Sequence, residues 1–309
     1  MLAWHDYNGG FKMKLLLTGG TGLIGSELVK RLRNQYQITV KTRSPSKAYR
    51  QLGHDIHAIK DLNEIKDIGD FAAVINLQGE GIADKRWSAT QRERIEQSRW
   101  RVTRKLAEMI QAAEQPPEVF ISGSAIGFYG DQGDTRVTET KNEPTDEFAH
   151  RLCAEWERLA KTSENGKTRV CLTRTGVVLS RHGGALQQMI TPYKFGLGGP
   201  LGDGKQMMSW IHIDDMIGAL EHMLSNADCH GVYNATAPQP VSNEEFSQSL
   251  ARAMGKPHFM RVPAWVLKLA LGDMSHMLLT GQAVLPERLQ EAGFRFRYPA
   301  IKDALKACV

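Results

Sequence analysis

Seven residues constrain this chain more than any others: Gly19-Gly20-Thr21-Gly22-Leu23-Ile24-Gly25, lying directly after the apolar run Lys14 to Thr18. KLLLTG reads as a strand, LIGSELVKRLRN as an amphipathic helix and QITVKTR as the next strand. Between strand and helix the glycines have separate tasks. Gly19 permits a tight turn, Gly22 lets the backbone approach a pyrophosphate, and Gly25 lets helix and strand pack closely. The helix N-terminus then offers N–H donors and a favourable dipole to phosphates. A Gly-rich string alone also fits a plain structural turn. Strand, turn, helix and strand in this order argue instead for dinucleotide binding by Gly19, Gly20, Thr21, Gly22, Leu23, Ile24 and Gly25.

The end of the second strand selects the dinucleotide. A site for NAD places an Asp or Glu there to hold the ribose 2′-hydroxyl. This chain offers Lys41-Thr42-Arg43-Ser44-Pro45-Ser46-Lys47, with no acid. Arg43, Ser44 and Lys47 can grip a 2′-phosphate, so the expected cofactor is NADP(H). The alternative is a solvated basic turn.

Further strands are expected at DIHAI, FAAVINL and EVFISGS, with a long helix over 90–113 carrying Ile95, Val102, Leu106, Met109 and Ile110 on one face. Strands separated by helices imply a parallel sheet with right-handed crossovers. After Gly130 a polar stretch precedes a helix over 147–161, and RVCLTRTGVVLS reads as one more buried strand. FGLGGPLGDGKQ must be a loop, because Gly and Pro sustain neither helix nor central strand. The fold class is α/β: a Rossmann-type doubly wound parallel sheet with a smaller mixed C-terminal substrate lobe. The expected division is 13–180 for the nucleotide-binding domain and 181–309 for the lobe, with some segments returning to the first.

A chain of 309 residues with 41% hydrophobic and 24% charged residues can bury a core without metal or disulfide. Cys153, Cys171, Cys229 and Cys308 lie far apart with no C-x-x-C pair, so a metal site is not expected and a reducing cytoplasmic setting is. The apolar runs are too short to span a membrane, and no membrane partner is expected. A net charge of +5 with dispersed Lys and Arg argues against nucleic acid. Residues 1–12 read as a flexible extension before Met13, a candidate start.

GGTGLIG, ISGSAIGFYG and WIHIDD resemble the extended short-chain dehydrogenase/reductase superfamily. VINLQGEGIADKRW and LPERLQEAGFRFRYPAIKDAL narrow the resemblance to its atypical epimerase family of the YfcH type, NAD-dependent epimerase/dehydratase-like proteins that end in a small domain of unknown role, here about 260–306. The resemblance covers nearly everything after Met13. It implies a C-terminal lobe over the nicotinamide end of the cofactor and places Leu77, Gly79 and Ser122 along that cofactor. It does not settle the reaction.

Ordinary members of the superfamily use a Tyr general acid/base, a Lys four residues later that lowers its pKa, and an upstream Ser. Aligned on Glu157, Ala149 stands at the Tyr position and Cys153 at the Lys position, so the pair is absent. Ser124 matches the catalytic Ser, with Ser122 as alternate. Arg99 takes the place of a superfamily Asn and could hold a carboxylate or phosphate. Tyr129 could approach a substrate or serve as a pocket wall. His150 could titrate near neutrality but is turned about 100° from the Tyr position. Cys153 lacks an activating base. Asp214 or Asp215, after His212, is expected to cap the following helix.

Two functions remain open: an NADP(H)-dependent oxidoreductase or epimerase-like enzyme acting on a small polar molecule near Ser124, Arg99 and Tyr129, or a catalytically silent NADPH-binding sensor. Related proteins pair through the two long helices, so a homodimer is a further expectation.

Overall fold

The computed structural model describes residues 12–309, and the expected extension 1–12 lies outside the described residues except for Lys12. Seven strands form the central sheet: β1 (Met13–Thr18), β2 (Tyr36–Lys41), β3 (His57–Ile59), β4 (Ala73–Asn76), β5 (Val119–Ala125), β6 (Arg169–Thr175) and β7 (Gly231–Ala235). Their order is β7-β6-β5-β4-β1-β2-β3, all parallel. The order turns back between β1 and β4, whose ends meet at Thr18 and Asn76. A parallel sheet opens a crevice at such a point, beyond the carboxyl ends of its strands.

The strands read as unbroken apolar runs because both faces are covered. Leu15 and Leu17 of β1 point to one side, with Ile38, Val40 and Ile75, against α1 (Leu23–Leu32) and α2 (Pro45–Leu52). Leu16 points the other way with Val74 and Phe120, against α3 (Ala89–Ala112). All three leucines are fully buried, so truncating any one to Ala costs about 2–5 kcal/mol. Ser88 caps α3 by accepting from the Gln91 N–H, and the buried stripe Ile95, Val102, Leu106 and Ile110 fixes its inner face. Helix α4 (Phe148–Lys161) packs beside it.

The segment RVCLTRTGVVLS is not one strand. It divides at Gly176: the Gly176 N–H still donates to Ala235 of the central sheet, while the Val177 N–H donates to Ser209 outside it. Val177–Leu179 then pairs with Trp210–His212 in a separate ladder. A Cβ at Gly176 would stand 2.7 Å from the Ser209 carbonyl oxygen, so only Gly lets the chain change sheets here.

Beyond it, α5 (Ala185–Lys194), α7 (Asn243–Met254) and the helix Ile301–Cys308 enclose a second core around Trp210, Phe246 and Leu305. Between α5 and α7 lies α6 (Ile213–Ser225). Its N-cap is His212, not Asp214 or Asp215: Nδ1 of His212 accepts from the Asp214 N–H at 3.1 Å. Asp215 is diverted because its carboxylate accepts the backbone N–H groups of Arg297 and Tyr298 at 2.7 and 2.9 Å. The two Asp thus have structural work, fixing the C-terminal segment onto α6. Ala283–Val284 adds a short parallel pairing to Arg136–Val137.

Candidate cofactor and substrate site

At the β1–α1 turn, Gly19 has φ +73°, and a Cβ on it would stand 2.5 Å from the Leu77 carbonyl oxygen. A Cβ at Gly25 would reach the Cα of Gly20 at 2.7 Å, so the first turn of α1 rests directly on the loop. Gly22 differs. Its Cβ would meet one neighbouring atom, the Gly19 carbonyl oxygen at 3.2 Å, and otherwise points into open space. Helix α1 has no side-chain cap and no acid in its first turn. Orphan N–H donors, the positive end of a dipole and unfilled space in front of Gly22 fit an anionic group.

At the end of β2, Ser44 is the N-cap of α2, yet its hydroxyl makes no capping bond and lies 3.4 Å from that of Ser46. Arg43 and Lys47 are exposed and form no ion pair among the described residues. Lys41, half-buried, donates to Gln78 at 2.9 Å, and burial lowers its pKa.

The loop after β4 is held from below. Asn76 is fully buried, accepting from Thr18 at 2.6 Å and donating to Thr103 at 2.8 Å. Gly79 lies on the guanidinium of Arg99: a Cβ there would be 2.7 Å from Cζ. Arg99 donates to the carbonyls of Ile95 and Glu80, at 3.1 and 3.0 Å, and stacks over Trp156 with Cζ 5.3 Å from the ring centre. Burial lowers its pKa, opposed by Cys153 and Glu80. The guanidinium therefore braces the Gly79–Glu80 backbone, and Nε has no protein acceptor among the described residues. The hydroxyl of Ser122, fully buried in β5, donates to the Gly123 carbonyl at 3.4 Å.

Ser124 belongs to a buried chain of polar groups. Its hydroxyl donates to Oε1 of Glu157 at 2.7 Å, and Glu157 receives Arg174 through Nε and Nη2 at 2.8 and 2.9 Å. Arg174 is 1% exposed and stacks on Phe128, with Cζ 3.4 Å from the ring centre. Tyr129, equally buried, donates to Asn234 at 2.7 Å, and burial pushes its pKa up. Asn234 in turn donates from its side chain to Leu285 and from its backbone to Glu139. The Tyr129 hydroxyl is thus engaged with Asn234 inside the protein.

The position aligned with the general-acid Tyr holds a half-buried alanine, beside a half-buried Gly127. The Cβ of Ala149 lies 3.0 Å from where a Cβ on Gly127 would stand. Cys153 is buried, and its thiol is pushed up to about 12, chiefly by burial and then by the charge on Glu157. His150 is buried, with Nδ1 directed at the Phe128 carbonyl. No cluster among the described residues could hold a metal ion. Asn76, Arg174, Asn234 and Glu139 carry the geometry without having been singled out in the sequence, and Glu157, used there only as an alignment landmark, joins them. Arg174 had a signal: a charge inside an apolar strand must find a buried partner.

Residues 15–236 match the family described as the NAD dependent epimerase/dehydratase family, and residues 262–308 match a domain of unknown function, DUF1731. An epimerase family protein of Staphylococcus saprophyticus, SSP1921, is 39% identical over 295 residues, covering 95% of this chain and 98% of its own. The chloroplastic SDR39U1 homolog of Arabidopsis thaliana is 40% identical over 308 residues, covering 96% of this chain and 86% of its own. The crystal structure of human epimerase family protein SDR39U1 (isoform 2) with NADPH superposes with a TM-score of 0.88 at 33% identity, covering 96% of this chain and 99% of that one. With the β1–α1 turn, the seven-stranded sheet and the C-terminal domain in common, this chain belongs to the NAD-dependent epimerase/dehydratase family, in its SDR39U1-like branch.

Proposed function

We propose that this chain binds NADPH and transfers hydride to a small acceptor without the Tyr/Lys pair of ordinary short-chain dehydrogenases. One observation carries the reading: the α1 N-terminus and the uncapped start of α2, with Arg43 and Lys47 beside it, form a continuous anion-receptive edge with space in front of Gly22. The pyrophosphate would lie on residues 19–25 and the 2′-phosphate on Arg43, Ser44 and Lys47. Leu77 and Gly79, braced by Arg99, would flank the nicotinamide half, above Ser122. The human relative crystallised with NADPH supports the same cofactor.

The dinucleotide supplies the hydride when bound. Reduction of an isolated ketone develops an alkoxide that needs a proton from a nearby acid. Here Tyr129 donates to Asn234, Ser124 donates to Glu157, and Cys153 holds its proton to about pH 12. The acceptor that suits this arrangement is a conjugated carbonyl or quinone, whose reduced form is a stabilised anion that takes its proton from water. Arg99 stays protonated, so it can stabilise such an anion through Nε but cannot shuttle a proton.

The rival reading, a silent NADPH-binding protein, is favoured by an alanine, Ala149, at the position aligned with the general acid. Single-turnover oxidation of bound NADPH by a quinone, a conjugated ketone and an isolated ketone separates the two. We expect oxidation by the first two alone, reduced by roughly 10²-fold in Arg99→Ala when NADPH is saturating, the scale of a lost oxyanion donor. No oxidation by any acceptor would leave the silent reading standing.

A further inference from the structure

Helix α8 (Ala264–Leu271), AWVLKLAL, is apolar on nearly every side, yet Leu267 alone among its residues is buried. A helix of that composition is ordinarily enclosed on all sides. Trp265 and Leu269, one turn apart, are 68% and 75% exposed. The surface continues beyond the helix. Phe195 and Leu197 are exposed on the loop after α5, and Phe259 and Met260 on the segment leading into α8. These two segments are tied together, since the Gly198 carbonyl accepts from the N–H groups of Phe259 and Met260 and Leu201 pairs with Val262. This contiguous group of exposed large apolar side chains exceeds the scattered ones a monomer surface carries.

The charge around it is mainly basic, with Asp203 and Asp273 lining the same depression as Lys268 and Asp273 ion-paired to Arg92. Segments 185–202 and 251–271 contain Lys194, Arg252, Lys256, Arg261 and Lys268 and no Asp or Glu. All five are exposed, and of these only Arg261 is ion-paired among the described residues, to Glu244. The outer faces of α3 and α4, where a dimer would be sought, expose charged residues such as Arg94, Arg101, Arg104, Arg151 and Arg158 and no large apolar side chain.

We infer that the α8 face, with its flanking loops, docks on an anionic lipid surface. Trp265, Phe259, Phe195 and Leu269 would enter the headgroup–acyl boundary, with Lys194, Lys256 and Lys268 lying over acidic headgroups. Exposed aromatic and leucine side chains rimmed by basic residues make such an interfacial element. A second copy of the chain is the poorer occupant, because two-fold pairing would set these cations against their own duplicates. No helix among the described residues is long and apolar enough to cross a membrane, so the contact would be peripheral.

Co-sedimentation of the full chain tests this with vesicles of phosphatidylcholine alone and of equal parts phosphatidylcholine and phosphatidylglycerol. We expect at least about tenfold more bound protein on the anionic vesicles at low salt, most of it released at high salt. Trp265→Ser with Leu269→Ser, and separately Lys256→Glu with Lys268→Glu, should each abolish the difference while NADPH binding and melting temperature stay unchanged. Equal binding to both vesicle types, no binding to either, or binding unaffected by these exposed substitutions would overturn the inference. So would self-association of the parent protein that the Trp265→Ser, Leu269→Ser variant loses.

Discussion

At the turn between β1 and α1 the chain leaves backbone donors uncapped and open space in front of Gly22, whereas where β5 meets α4 the polar side chains bond one another and Ala149 stands close to Gly127. The first region is shaped for something it does not itself contain. The second is built around the buried groups Ser124, Glu157 and Arg174, which satisfy one another. Binding and chemistry can therefore be altered independently in this chain.

The sharpest way to break this contrast is to cut the closed region. Arg174→Ala leaves the Glu157 carboxylate buried beside Ser124 without its cation, which should cost about 3–5 kcal/mol in a denaturant titration. If stability hardly changes, the region is more open to water than its burial implies. Next comes the open region: Gly22→Val should weaken NADPH binding at least ~100-fold, because its side chain occupies the path of a pyrophosphate. The fold should survive, since only one atom lies near the new Cβ. Unchanged affinity in calorimetry would move the phosphate site elsewhere.

Arg43→Ala probes the same edge more gently. Loss of one charge-assisted contact, worth ~1.5–3 kcal/mol, should weaken NADPH binding roughly tenfold or more while leaving NADH affinity nearly unchanged. Equal affinity of the parent protein for both dinucleotides would remove the 2′-phosphate assignment.

The smallest effect expected near neutral pH concerns the thiols. Burial pushes Cys153 and Cys171 from 9.0 up to about 12. A group whose pKa is raised by folding lends stability that is complete below its unfolded pKa and lost as pH climbs through the folded one. Stability should thus be unaffected by these thiols up to about pH 9, then fall towards pH 12 by up to ~1.4 kcal/mol per pH unit for each thiol. The slope should flatten in Cys153→Ser with Cys171→Ser, and native protein should resist a thiol reagent at pH 8. Rapid labelling of Cys153 in folded protein would contradict the closed picture.

The open region was legible in the sequence because its requirements are local. Glycines at 19, 22 and 25 and the missing acid after β2 all lie within about 30 residues, inside one βαβ unit. The closed region was not legible, because Glu157 meets Ser124 across 33 positions and Tyr129 meets Asn234 across 105. Glu157 served as an alignment landmark while its work stayed hidden. The helix cap at α6 misled for a related reason. Asp is a better local cap than His, but the distant N–H groups of Arg297 and Tyr298 claimed the Asp215 carboxylate. The break at Gly176 was hidden too, since apolar residues on either side read as one strand until Ser209 arrives beside it.

The clasp made by residues 283–298 has a consequence for the order in which the protein is made. Leu285 accepts from the Asn234 side chain, the Arg288 side chain donates to carbonyls at His230 and Val232, and residues 297 and 298 satisfy Asp215. While the chain is emerging from the ribosome, those acceptors and donors have no partners until residues 283–298 have been synthesised. The central sheet can assemble earlier, since its strands arrive in turn, but its outer edge at β7 stays unfinished. A nascent chain stalled before residue 283 should therefore behave as a collapsed intermediate with a frayed edge.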